Sequence, residues 1–318
     1  PDRPAAEGGA KRVWDCVYTL DGNSWQQQPV KGSIAYAATC SVPLSGGGCG
    51  VAVLGGNSGN TQLDQAQLWA DNGLCTALPD IHAVDNAAAA YGDGYIYLVG
   101  GQTPNGPSAK ACRLRYPGAG TWQPLPDLPG SPRVQCSAAW LDGRLYVAGG
   151  YNPTDGTVNA TIVSWAPGDS TWTFVNSLRK PDELQAWTLV GGTMLADTLQ
   201  HRLLFIGGVD ATIFQEAISR PMRIQAAKDE HNTQYLETLE QEAASYMHHE
   251  PDWYRFNDKF ISYDIASQQY AELLLHPSLA RAGAAVLMQA DTVYVINGEL
   301  KPGIRSNTAL RLVRTACQ

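Results

Sequence analysis

The chain has 318 residues, of which 44% are hydrophobic and only 16% charged, with a formal net charge of −8. That is enough apolar material for a large core, and an acidic balance of this kind excludes the basic stripe that a nucleic-acid partner requires. No apolar run approaches the roughly 20 residues of a membrane-spanning helix, so neither nucleic acid nor membrane is expected as a partner.

In chain order, the opening PDRPAAEGG carries no charged-then-apolar leader, which leaves cytoplasmic, periplasmic and secreted locations all open. RVWDCVYTLDG and NSWQQQP then read as two strands joined by a turn. After them one unit recurs about every fifty residues. Its aliphatic strand ends in Gly-Gly: VAVLGG at 51–56, AAAAYGDGYIYLVGG at 87–101, SAAWLDGRLYVAGG at 137–150 and RLLFIGG at 202–208. A further copy, AAVLMQADTVYVING, ends at Gly298 with Asn297 in place of the first glycine. Each unit reads as four antiparallel strands, a to d, with tight turns at GDG and LDG. Trp25, Trp122 and Trp172 fall at the start of strand d, where a large ring can wedge between neighbouring units.

A four-stranded meander cannot bury both faces alone, so such units stack radially. The pattern resembles the kelch repeat, and the resemblance implies an all-β protein, a kelch-type β-propeller. Two strands (c and d) precede the first full unit, four full units follow, and the last copy supplies a, b and c. The expectation is a six-bladed propeller with its N-terminal blade incomplete in this chain, forming one domain over 1–318.

About fifty residues separate Gly208 from the next strand, FISYDI, where a blade needs roughly ten. MRIQAAKDEHNTQYLETLEQEAASYMHH has no Gly or Pro and is rich in helix formers, which predicts a helical insertion at about 215–252. In such a meander the b–c and d–a loops leave on one face, and the insertion is a b–c loop, so it is placed to cap a pocket there. NGELKPGIR, at 297–305, opens the next b–c loop.

The residues that fall on that face are the candidates. Asp210, Phe214, Glu299, Lys301 and Arg305 come from b–c loops, and Arg133 and Gln135 from a d–a loop. The end of the insertion adds Trp253, Tyr254, Arg255 and Asn257. Arginines suit a carboxylate ligand, and a Glu beside them suits acid–base work. On spacing alone, Glu299 and Arg305 are more simply a surface ion pair closing a loop. In the same spirit, Arg133 would cap its loop and Asn257 would bond its own turn. The 6 histidines are dispersed, and the 7 cysteines include no C-x-x-C pair, so no metal site is expected. Cys40 and Cys49 flank SVPLSGGG and are placed to face each other across a hairpin.

GGVDATIF, the helical insertion, DWYRFNDKFISYD with SQQY, GAAV and YVINGELKPGIRSNTA follow one another in an order that resembles the N-acetylneuraminate epimerase (sialic acid mutarotase) family, in its cyclically permuted branch. The resemblance implies conversion of α- to β-N-acetylneuraminate with no cofactor, on a small acidic sugar as partner. It implies Glu299 and Arg305 as the active-site pair. Arg133, Gln135, Asp210, Phe214, Lys301 and Asn257 are the substrate-binding candidates around them, with Asp210 standing where relatives can carry Asn. The reading from another class is a non-catalytic kelch propeller that binds a glycan or protein on the same face.

Overall fold

The structure, a computed structural model, describes residues 13–314 apart from 22–23, 30–31, 60, 71–72, 119 and 182–186. Its strands form antiparallel meanders in sequence order. The first blade comprises Ala38–Pro43, Cys49–Leu54, Ala66–Ala70 and Cys75–Leu78, and the second Ala88–Gly92, Tyr95–Val99, Ala111–Arg115 and Gln123–Leu125. The third comprises Ser137–Leu141, Arg144–Ala148, Thr161–Trp165 and Thr173–Ser177, and the fourth Thr193–Asp197, Arg202–Ile206, Lys259–Asp264 and Gln269–Leu275. A fifth has three strands, Ala285–Gln289, Thr292–Ile296 and Ala309–Val313, and Cys16–Asp21 pairs with Ser24–Pro29 as a separate ribbon. The protein is thus a mostly-β propeller in which five blades are described, with two helices.

The core lies between blades rather than at one centre. Strand b has both faces covered, so YIYLV, RLYVA and RLLFI are each buried at four of five positions. Tyr146 and Ile162 of the third blade pack with Phe205 and Tyr263 of the fourth, and Tyr97 and Val99 of the second pack with Val147 and Trp165 of the third. Each such side chain contributes on the order of 1.5–3 kcal/mol by leaving water. The wedge expected of tryptophan holds for two of the three. Trp122 and Trp172 donate from Nε1 to the carbonyls of Pro79 and Pro126, at 2.9 and 2.8 Å, each reaching back to the end of the preceding blade. Trp25 is instead 48% exposed, because its ribbon pairs with no further described strand.

The turns follow the sequence. Asp93 and Gly94 have φ 50 and 74, and Asp142 and Gly143 have 49 and 77, the left-handed pair of a tight hairpin. At Gly149, φ is +69 and a Cβ would lie 2.8 Å from the backbone nitrogen of Leu189, so only glycine fits there. Cys40 and Cys49 do not face each other. The register sets Cys40 opposite Ala52 and Cys49 opposite Pro43, and both thiols are free. Burial pushes the Cys40 and Cys112 thiols up to about 12, as expected of small hydrophobes.

The insertion begins earlier than its composition suggests. Helix α1 runs Ala211–Asp229 and α2 Thr233–Tyr246, followed by a single 3-10 turn, Pro251–Tyr254. Asp210 caps α1 by accepting from the amide of Ile213 at 2.9 Å. Pro221 sits inside α1 and breaks nothing. Beside it Arg220 is fixed by Glu242 of α2, 3.5 Å away, and lies over the Tyr246 ring, so packing outweighs one lost helical hydrogen bond. No described helix is long and apolar enough to cross a membrane.

Candidate functional site

The residue after each glycine pair turns back to meet the d–a loop of its own blade. Asn57 bridges to Ala35, Gln102 to Asp85, Tyr151 to Val134 and Glu299 to Ala282, while Val209 pairs with Thr188. These five positions are therefore equivalent, all at the end of the propeller where the insertion emerges. Glu299 is the one carboxylate among them. The loops are also joined blade to blade through backbone. Asn86 donates its amide to the Tyr36 carbonyl and Gln135 to that of Asn86, both at 2.8 Å, and Gly283 donates to Gly191 at 2.7 Å. Tyr36, Asn86, Gln135 and Gly283 all have positive φ, the shape that turns each carbonyl toward the next loop.

Glu299–Lys301 and Ile304–Arg305 form a two-stranded ribbon around Pro302-Gly303, with Glu299 directly opposite Arg305. Arg305 Nη2 lies 3.3 Å from Glu299 Oε1, and the two side chains are 68% and 34% exposed. The pair is in contact with solvent and contributes only about 0–1 kcal/mol to stability. Its guanidinium keeps further N–H donors directed outward. Lys301 reaches the other way, donating from Nζ to the carbonyl of His249 at 2.7 Å.

The insertion is seated on the blades to either side of its own. Phe214 meets Tyr151 of the third blade edge to face at 5.0 Å, and Gln215 accepts from the Val158 amide at 2.8 Å and donates to the Gly156 carbonyl. At its far end the 3-10 turn packs on Glu299–Lys301 of the fifth blade. Tyr254 is buried and donates its hydroxyl to the Tyr246 carbonyl, while His249 stacks on Trp253 at 3.8 Å. Asp210, 3% exposed, pairs with Arg255 Nη2 at 3.1 Å. An open groove of about 670 Å³ runs between α1 and the 3-10 turn, lined by Ile213, His249, Glu250, Asp252, Trp253 and Arg255.

Three of the expected contacts are placed differently. Arg133 is 1% exposed and turned into the protein, its guanidinium donating to the carbonyls of Pro129 and Gly149 at 2.7 and 3.4 Å. Arg281, in the same place in the fifth blade, donates to Asn297 and Thr308 carbonyls at 2.8 and 3.0 Å. The arginine thus belongs to the repeat and closes the end of strand b, and burial lowers the pKa of both. Asn257 is fully buried and bonds both the amide and carbonyl of Lys259, closing its own turn. Gln135 points at Asn86, with Nε2 3.3 Å from Oδ1.

Tyr151 carries no sequence motif, but counting one residue past each glycine pair would have found it. Burial pushes its hydroxyl pKa up, and the charges of Asp85 and Tyr36 push the same way. Asp85 is buried and accepts from Asn57 Nδ2 at 2.7 Å and Asn86 Nδ2 at 2.8 Å, so a polar network joins the first two blades on this face.

Residues 117–314, more than half of the chain, match the family model described as NANM: N-acetylneuraminate epimerase. The chain belongs to this family. Both Glu299 and Arg305 fall inside the matched stretch. An N-acetylneuraminate epimerase of Pasteurella multocida (strain Pm70) is 31% identical over 193 residues, covering 59% of this chain and 47% of the relative. The protein of that name from Escherichia coli (strain K12) is 26% identical over 198 residues, covering 60% and 48%. The chain spans about half the length of the curated relatives it matches. A solved structure titled "Structure of YjhT" superposes with a TM-score of 0.58 at 24% identity, over 72% of this chain and 63% of that one, and shares its fold.

Proposed function

We propose that this protein interconverts the α- and β-anomers of N-acetylneuraminate, or of a closely related acidic sugar, as a cofactor-independent isomerase. The observation that supports this most is the contact of Glu299 with Arg305, on the insertion-bearing face of a chain that belongs to the epimerase family. Anomer exchange requires the anomeric hydroxyl to lose a proton while the ring oxygen gains one. The bond between the anomeric carbon and the ring oxygen then breaks, giving the open keto form, which closes again on its other face. Glu299 takes the hydroxyl proton, and the resulting carboxylic acid returns it, directly or through one water, to the ring oxygen. Arg305 holds the sugar's carboxylate with the guanidinium donors that Glu299 does not use. Arg133, enclosed by backbone carbonyls, leaves this task to Arg305.

Spontaneous exchange is already fairly quick, so general acid–base help of about 10²–10⁴-fold is sufficient. As part of this reading, the N-terminal ribbon and the three-stranded blade belong to a six-bladed ring forming a single domain. Proton NMR after dissolving pure α-sugar tests the activity. Wild-type protein should speed the appearance of the β-anomer, and Glu299→Gln should remove most of that acceleration. An unchanged rate in the variant would sink the assignment of Glu299, and a wild-type rate equal to buffer would sink the activity.

A further inference from the structure

The groove on the insertion is lined by neither Glu299 nor Arg305, yet it is fixed beside them. Ile213 in the first turn of α1 forms one wall, and His249, Glu250, Asp252, Trp253 and Arg255 supply the rest. Lys301 ties the His249 carbonyl to the ribbon that carries Glu299, and that ribbon packs on the 3-10 turn of the groove. At about 670 Å³ the groove has the size of a small-molecule site.

Its chemistry selects the kind of ligand. Its cation, Arg255, is already paired with the buried Asp210 at 3.1 Å. Glu250 and Asp252 make no ion pair among the described residues, and both are exposed. A second carboxylate entering here would meet two like charges with no uncommitted arginine to offset them. Hydroxyl groups are in the opposite position, since ionised carboxylates are strong acceptors and hold hydrogen bonds better than neutral groups do. The parallel His249–Trp253 pair, with an interplanar angle of 8°, and the Ile213 side chain provide flat and apolar surface for the C–H edges between those hydroxyls.

We infer that this groove is the subsite for the uncharged, hydroxyl-bearing tail of the acidic sugar, with Asp252 and Glu250 accepting from its hydroxyls and Trp253 packed on its carbon chain. The inference rests on the proposed function, with the anionic end of the same sugar at Arg305. It makes the insertion a specificity element that measures the length of the tail.

The test compares N-acetylneuraminate with its analogue shortened by two tail carbons, prepared by periodate cleavage and borohydride reduction of the methyl glycoside followed by hydrolysis of the glycoside. Affinities are measured by titration, and saturation-transfer NMR maps which sugar protons touch the protein. Wild type should bind the full-length sugar about tenfold more tightly, with strong transfer to the tail protons. Asp252→Asn keeps the shape of the groove and should remove most of that preference while leaving affinity for the shortened sugar unchanged. Trp253→Ala should abolish transfer to the tail. Equal wild-type affinity for the two sugars, or an equal loss for both in Asp252→Asn, overturns the subsite. Because these readouts need no turnover, tail-selective binding without anomer exchange overturns only the proposed activity. Exchange without tail selectivity overturns only the subsite, and binding of neither sugar overturns both.

Discussion

Lys301 donates from Nζ to the carbonyl oxygen of His249 at 2.7 Å, so the ribbon bearing Glu299 and the end of the helical insertion hold one another. The two segments belong to different blades, and their register across the open face depends on this contact and on the packing of the 3-10 turn. Lys301→Met keeps the length and apolar stem of the side chain but removes the donor. Amide exchange across residues 247–254 should then speed up by about tenfold, while the global melting temperature stays nearly constant. Hydrogen-exchange mass spectrometry reads this directly, and unchanged protection there would show that the 3-10 turn is held by packing alone.

The exposed Glu299–Arg305 contact separates catalysis from stability. Glu299→Gln should change unfolding free energy by less than about 1 kcal/mol, as for other solvent-exposed ion pairs. Denaturant midpoints measured on the same preparations used for kinetics check this. A loss of rate accompanied by a large midpoint shift would point to misfolding rather than to missing chemistry.

Arg133 should behave in the opposite way. It is buried against backbone carbonyls, so Arg133→Met should cost about 2–3 kcal/mol of stability and leave the affinity of the folded protein for ligand unchanged. Arg281→Met, its counterpart in the fifth blade, should do the same. A selective loss of sugar affinity in Arg133→Met would restore Arg133 to the site.

Acid should loosen the join between the fourth and fifth blades. Asp197 is nearly buried, which alone would raise its pKa, but hydrogen bonds from Arg202 and Arg314 outweigh burial and hold the carboxyl below its usual range. A depressed folded-state pKa contributes stability above the unfolded value of about 3.9, and that contribution is lost as pH falls through the folded value. Asp197→Asn should therefore be less stable than wild type by about 1–3 kcal/mol at neutral pH, with the gap closing below about pH 4. Urea titrations across that range test the sign.

The propeller was legible because its repeat is written in backbone chemistry. Paired glycines, Asp-Gly turns and alternating apolar strands dictate a meander wherever they occur, and they placed every four-stranded blade. Loop side chains carry no such constraint. The spacing of Arg133, Glu299 and Arg305 puts all three on loops at one face, but it cannot say that Arg133 folds back to satisfy the end of strand b. Asn257 does bond its own turn, as its place in the sequence allowed, and the structure adds that Lys259 is the partner. The insertion was found by composition and misjudged at its start, because Asp210, the actual cap, reads as a binding residue. The groove was invisible for a related reason. It exists only where the first turn of α1 and the 3-10 turn converge.

The main-chain bonds that run from Tyr36 to Asn86 to Gln135 have one more consequence. Because the joints between neighbouring loops are made of peptide groups, those joints do not depend on which side chains stand just beyond the glycine pairs, even though Asn57 and Tyr151 add contacts of their own to Asp85 and Phe214. Asn57, Gln102, Tyr151, Val209 and Glu299 occupy equivalent sockets, each held by the same backbone bridge to its d–a loop whatever its side chain. A new chemistry can enter such a frame one substitution at a time, with each trial leaving the other four sockets as they were.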